Sequence, residues 1–354
     1  MKIFISGNQL FPGVPLALGS AALFGATPAF SKLLLDTVSP LMLAGIFYLG
    51  AGIGLSIYML LRSSAARESE ARLKRSDLPF LALAIVAGGI VGPVLLMLGV
   101  ERSAASTSSL LLNLEGLATM AIAWIAYREN VDRRLLAGAL AILAGAVVIS
   151  WNGNAVAPSP GAMLVAGACL AWGLDNNFTR KISAADPVAI AAIKGLVAGT
   201  VNIALAFASG ANWPPAGYAL AGAAVGFFGI GVSLVMFILA LRHLGTARTG
   251  AYYSLAPFIG AILAIAGLGE TPTLRLAFAG ALMAFGLWLH LSERHDHEHQ
   301  HEVTEHDHSH LHDEHHDHSH NGEIPGSHSH WHRHEPLGHK HQHYPDLHHR
   351  HGHS

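Results

Sequence analysis

Residues 78–100 read LPFLALAIVAGGIVGPVLLMLGV, an apolar run without an Asp, Glu, Lys or Arg. A helix needs roughly 20 residues to cross the ~30 Å hydrocarbon core of a bilayer, and this run is long enough. Its apolar residues are continuous instead of alternating with period two, which excludes a strand of a membrane β-barrel. Within lipid, backbone N–H and C=O groups must bond inside their own segment, so the run is a helix. Working outward, the same pattern predicts spans at 14–35, 40–61, 104–126, 134–151, 160–181, 187–209, 217–241, 246–268 and 274–291. Of these, 40–61 and 217–241 are likewise free of charge. The long polar break, RSSAARESEARLKRSD at 62–77, is a solvated loop.

Composition agrees with lipid as the solvent. The chain has 354 residues, of which 51% are hydrophobic and only 12% charged, and its mean hydropathy is +0.40. Soluble domains carry about 25% charged residues. The start, MKIFISGNQLFPGVP, is not read as a signal peptide, because the apolar run after it is too long for an h-region. The single cysteine, Cys169, excludes an internal disulfide and reads as a packing residue. No nucleotide loop, hydrolase motif or nucleophile constellation is found. An enzyme, a required cofactor and a nucleic-acid partner are therefore not expected.

Basic residues set the expected orientation. With a cytoplasmic N-terminus, one side collects Lys2, Arg62, Arg67, Arg72, Lys74, Arg75, Arg128, Arg133, Arg134, Arg180, Lys181, Arg242, Arg248 and Arg294. The other side holds Lys32, Arg102 and Arg275. Ten spans then return the C-terminus to the cytoplasm.

The two halves echo one another. Phe24-Gly25 followed by Phe30-Ser31-Lys32 matches Trp172-Gly173 followed by Phe178-Thr179-Arg180 at the same spacing. Ser39-Pro40 and Asp186-Pro187 follow. Glu129, Arg134 and Gly145 are mirrored by Glu270, Arg275 and Gly286. Five spans per repeat is an odd number, so the second repeat enters the membrane upside down, the arrangement common in secondary transporters. The expected fold is thus an all-α integral membrane protein of ten transmembrane helices in two inverted five-helix repeats. Its parts are a short cytoplasmic N-terminus (1–13), the first repeat (14–151), the second repeat (160–291) and a tail (292–354).

On these features the chain resembles the drug/metabolite transporter superfamily, in its EamA-type branch. The resemblance covers residues 14–291 and rests on the aromatic-Gly opening and the Glu-x4-Arg plus Gly-rich closing of each repeat. It implies a ten-helix bundle with both ends cytoplasmic, set in a bacterial inner membrane. It further implies transport of metabolites such as amino acids, nucleosides or sugars, often outward, without a shared catalytic residue.

Ionisable groups within spans are costly, about 2.5–3.5 kcal/mol each on insertion scales, and so mark candidate pathway residues. Glu115 lies mid-span, with Ser108 and Thr119 on one stripe of a 3.6-residue helix. Asp175, Asn176 and Asn177 follow Trp172-Gly173-Leu174 and are expected to loosen the sixth span. Lys194, at similar depth in the seventh, is placed to pair with Asp175 or to snorkel. Tyr252 and Tyr253 are expected cavity residues. Trp124 is assigned to the interface, and His243 and Arg248 are assigned as anchors. The pairs Gly88/Gly92, Gly195/Gly199 and Gly222/Gly226 read as close helix contacts. Pro28, Pro93 and Pro257 read as kinks.

The tail holds 23 of the 25 histidines. Its composition predicts disorder. Alternate His-x-His puts imidazoles on one side of an extended chain, and neutral imidazole suits Zn, Ni, Cu or Co. The expected ligands are His295, His297, His299, His301, His306, His308, His310, His312, His315, His316, His318 and His320. Three functions remain open. The first is export of a small polar metabolite or drug by alternating access. The second is a divalent-metal exporter or metal-gated carrier, and the third is a membrane-tethered metal store or sensor. Expected partners are the small-molecule substrate, membrane lipid, divalent metal ions and a second copy of the chain in a homodimer.

Overall fold

A computed structural model describes residues 13–62, 73–127, 133–151, 159–182, 185–244, 249, 252–291 and four short segments of the tail. Among the described residues, the apolar runs form helices. In chain order these are α1 (Gly13–Leu35), α2 (Pro40–Leu61), α3 (Arg75–Glu101), α4 (Ala105–Ala126) and α5 (Arg133–Ser150). There follow α6 (Pro160–Ile182), α7 (Pro187–Ala208), α8 (Ala216–Ala240), α9 (Ala256–Leu268) and α10 (Leu274–Leu291). Among the described residues, eight of these are long and apolar enough to cross a membrane. The exceptions are α6, whose C-terminal half carries Asp175, Arg180 and Lys181, and α9, which is short.

The outer faces confirm the solvent argument. Leu61, Ile125 and Leu274 are 81%, 76% and 92% exposed, while Ser20, Ser31, Ser108 and Asn202 are wholly buried. A water-soluble fold has the opposite preference. The protein is a multi-pass helical membrane protein. Trp124 sits half-exposed on this outer surface.

Helix packing is close where glycines remove side chains. The most extensive contact joins α2 to α7, and the next joins α5 to α10. At the first, a Cβ on Gly195 would lie 2.7 Å from the Gly52 Cα, so only glycine lets the backbones approach this far. The α3–α6 contact is matched by α1–α8, the α4–α6 contact by α1–α9, and α2 meets α8 as α3 meets α7.

Among the described residues, α3 opens on a 3-10 turn at Arg75–Asp77, and four further places depart from α-helix. Wide π turns occupy Ile85–Val91 in α3 and Phe227–Val232 in α8. Turns interrupt the chain at Leu112–Asn113 in α4 and at Ser254–Leu255 ahead of α9. The wide turn in α3 has a local cause, since Pro93 lacks the N–H that would bond back to Gly89. The freed carbonyls are satisfied from other helices. The Tyr48 hydroxyl (2.7 Å) and the Trp172 indole N–H (3.0 Å) donate to Gly88 O, and the Asn202 amide donates to Gly89 O at 3.0 Å.

One expectation fails here. The Asp175-Asn176-Asn177 run does not loosen α6, which is α-helical through it. Asn177 instead donates to Gly173 O (2.8 Å) and to Thr119 O (3.1 Å), and Thr179 donates to Asp175 at 3.0 Å. The polar side chains are spent inside the bundle, leaving the helical bonds intact.

In the tail, expected to be disordered, four segments are extended. Asp296–Gln300 pairs antiparallel with Gly338–Gln342, and Thr304–His310 with His328–His334. The His-x-His alternation has the period of a strand, which is compatible with this extended backbone.

Candidate functional site

A cavity of about 140 Å³ lies where α1, α2, α3, α4, α6 and α8 converge with the residues that lead into α9. Most of its wall is apolar or aromatic. Phe24, Phe47, Trp172 and Tyr253 contribute rings, with Phe24 and Tyr253 5.6 Å apart between centroids. Against this stand a few polar groups, the common make-up of a small-molecule site.

The polar side is built by α4 and α6. The turn at Leu112–Asn113 restarts α4 at Leu114, and Glu115 sits in its new first turn, facing the cavity. A carboxylate is favoured at a helix N-terminus by the unpaired N–H groups there. Asn176, exposed into the cavity, donates to Glu115 Oε1 and to Thr119 Oγ1, each at 3.1 Å. Thr119 in turn donates to the Glu115 carbonyl at 2.9 Å. Asp175 also reaches the wall, and its other side is held by an ion pair with Lys194 of α7. Asp175 is buried and Lys194 partly buried, with side-chain exposures of 7% and 18%. A Cβ on Gly88 would overlap the Asp175 carboxylate, so the glycine of the wide turn makes room for the pair.

Of the residues expected in the pathway, Glu115, Asp175, Asn176 and Tyr253 line the cavity. Lys194 and Thr119 support it from behind. Three do not take part. Ser108 is buried before the turn in α4, so the helical stripe assumed through Ser108 and Glu115 is broken. Asn177 is buried on helix-helix bonds, and Tyr252 packs beside Ala17 and Ala240. His243 and the anchor Arg248 are outside what the structure describes at side-chain level. The sequence reading missed Tyr48, Phe47 and Thr27, which look ordinary in an apolar run.

One end of the bundle is tied by two further residues. Lys32 donates to the carbonyls of Val100 (2.7 Å), Glu101 (2.9 Å) and Ser103 (2.8 Å), closing the end of α3. The Glu270 carboxylate accepts from the N–H groups of Ala105 (2.6 Å) and Ser106 (3.0 Å), capping α4 from the other half.

The metal expectation divides. Among the described residues, no three His, Cys, Asp or Glu side chains come together. His297, His299, His306, His308 and His310 lie on tail strands. His295, His301, His312, His315, His316, His318 and His320 lie outside the described residues.

A helical membrane bundle enclosing a small, mostly apolar cavity with a few aimed polar groups has the form of a solute carrier. A model of the EamA-like transporter family matches residues 11–151 and again 159–292, and the chain belongs to that family. It is a transporter and not an enzyme. An uncharacterized transporter of Methanothermobacter thermautotrophicus is 28% identical over 285 residues, covering 75% of this chain and 82% of the relative. A probable terminal-alkyne amino-acid exporter of Streptantibioticus cattleyicolor is 26% identical over 250 residues, 68% of this chain and 84% of the relative. A solved protein crystal structure superimposes with a TM-score of 0.59 at 18% identity, over 78% of this chain and 95% of that one, and shares the fold.

Proposed function

We propose that the protein exports a small organic solute by alternating access, as ten spans in two inverted five-helix repeats with both termini cytoplasmic in a bacterial inner membrane. The observation that carries the reading is the cavity, whose wall draws residues from both family-matched segments. Helix pairing supports the inversion. Exchanging each helix for the one five places along converts α3–α6 into α8–α1 and α4–α6 into α9–α1, and leaves α2–α7 and α5–α10 unchanged. The wide turns in α3 and α8, and the breaks in α4 and before α9, fall at corresponding places. Such paired irregularities give each half a bend to use as the cavity opens first to one side and then to the other. Lys32 and Glu270 seal one end in this state, and their release is the gating step.

An organic cargo is favoured over a metal ion because, among the described residues, the cavity offers two carboxylates, one of them already bound to Lys194. The tail is read as an appendage that binds Zn, Ni, Cu or Co. Its backbone register sets His306 opposite His332 and His308 opposite His330, which supports shared ions. The test is flux from proteoliposomes holding the full chain. At least one member of a panel of trapped organic solutes, amines and amino acids among them, is expected to leave faster than from chain-free vesicles, while trapped Zn²⁺ stays. Release of Zn²⁺ without release of organic solutes would overturn the reading.

A further inference from the structure

We propose that the cavity selects an organic monocation, a protonated amine on a small apolar or aromatic body, with the ammonium seated on Glu115. The inference deepens the transport reading and rests on it for taking the cavity as the cargo site.

The argument begins with charge. Among the described residues, two carboxylates reach the wall, and no Lys, Arg or His lines it. Asp175 is compensated, with Lys194 on one oxygen and the Thr179 hydroxyl at 3.0 Å from the other. Among the described residues, the one hydrogen-bond donor to the Glu115 carboxylate is the Asn176 amide at 3.1 Å, and the nearby charges are the two members of the Asp175–Lys194 pair, already bound to each other. Once cargo displaces water, a carboxylate left with one amide donor is costly. A cation removes that cost. A neutral solute leaves it in place, an anion adds repulsion, and a zwitterion brings a carboxylate for which the described wall residues offer no free cationic partner.

The second observation is the asymmetry of the two repeats. The spacing that aligns Phe24 with Trp172 sets Thr27 opposite Asp175 and Pro28 opposite Asn176. The Pro40/Pro187 match sets Phe47 opposite Lys194, and the Glu129/Glu270 match sets Ala256 opposite Glu115. Thr27, Pro28 and Phe47 also line the cavity. At each level one repeat thus supplies the charged group, Glu115 from the first and Asp175 with Lys194 from the second, and its equivalent in the other repeat is apolar or neutral. A cargo that matches such walls has one charged end and one apolar end. Aromatic faces add to this preference, since rings attract an ammonium and pack on a hydrocarbon body.

Three probes share one aromatic body and differ in charge: phenethylamine, phenylalanine and phenylacetate. Calorimetric titration into the purified full chain is expected to rank phenethylamine first, with the other two about tenfold weaker or more. Glu115→Gln should weaken phenethylamine by a similar factor, and Glu115→Asp, which keeps the charge, should recover part of it. Gel filtration checks that both variants remain folded. Phenylalanine or phenylacetate binding as well as the amine would overturn the proposal. So would absent amine binding, or equal amine affinity in wild type and Glu115→Gln. Flux of the same probes separates this from the transport reading. An amine that binds through Glu115 but crosses under no gradient contradicts transport alone. Phenylalanine flux without amine binding contradicts the cation site alone.

Discussion

The two repeats share a helical plan but not a chemistry. In the first, the break in α4 brings Glu115 to the cavity; in the second, the matching break leads into α9 with Ala256, which is buried against the backbone of Gly25. In α6, Asp175 and Asn176 face the cavity where α1 presents Thr27 and Pro28. On the proposed reading, duplication accounts for the frame and the bends, and the cargo chemistry is assigned to the few positions at which the copies have diverged. The cavity walls differ because only one repeat at each level needs a charged group, and every added one must be neutralised in lipid.

The comparison can be broken most severely at the ion pair. Lys194→Met leaves Asp175 buried without its cation and is expected to cost about 3–5 kcal/mol of stability. Asp175→Asn with Lys194→Met should recover most of that loss, as read by thermal unfolding in detergent. An additive double mutant would deny that the two residues act together. Next in size is Glu115→Gln, which should slow solute flux about tenfold to a hundredfold, corresponding to a charge-assisted contact of about 1.5–3 kcal/mol. Membrane insertion should be unaffected; full flux would remove Glu115 from the route.

Smaller effects test the tied end. Glu270→Gln weakens the cap on α4 by about 1 kcal/mol. Its expected signature is faster reaction of a Ser103→Cys reporter with a membrane-impermeant maleimide, against the low background of buried Cys169. An unchanged rate would mean that Glu270 does not hold this end shut. Deleting residues 292–354 should have the smallest effect on flux and a measurable effect on Zn²⁺ bound per chain. Loss of organic-solute flux on deletion would make the tail part of the transport machinery.

Much of the fold was legible because lipid imposes a simple rule. Charge-free runs such as 78–100 must be helices, and short polar breaks must separate them. The Asp175–Lys194 pair was also legible, since two buried opposite charges at equal depth in neighbouring spans lower one another's cost. What sequence periodicity hid was the irregular backbone. The break at Leu112–Asn113 has no proline or glycine to announce it, so Ser108 was placed on a stripe it does not share. The Asn-rich run of α6 misled in the opposite direction, because its side chains bond to Gly173 and Thr119 and leave the helix intact. The role of Glu270 as a cap was out of reach for a different reason. Its partners, Ala105 and Ser106, are far away in sequence and offer only backbone N–H groups.

The most direct measurement of the central claim is two-sided labelling of the cavity. Asn176→Cys, in a Cys169→Ala background, puts one thiol on the wall between the repeats. In right-side-out and inverted vesicles alike, a membrane-impermeant maleimide is expected to reach it, and phenethylamine is expected to slow the reaction from both sides. A thiol that reacts from one side only, or from neither, would contradict a route that opens alternately through this cavity.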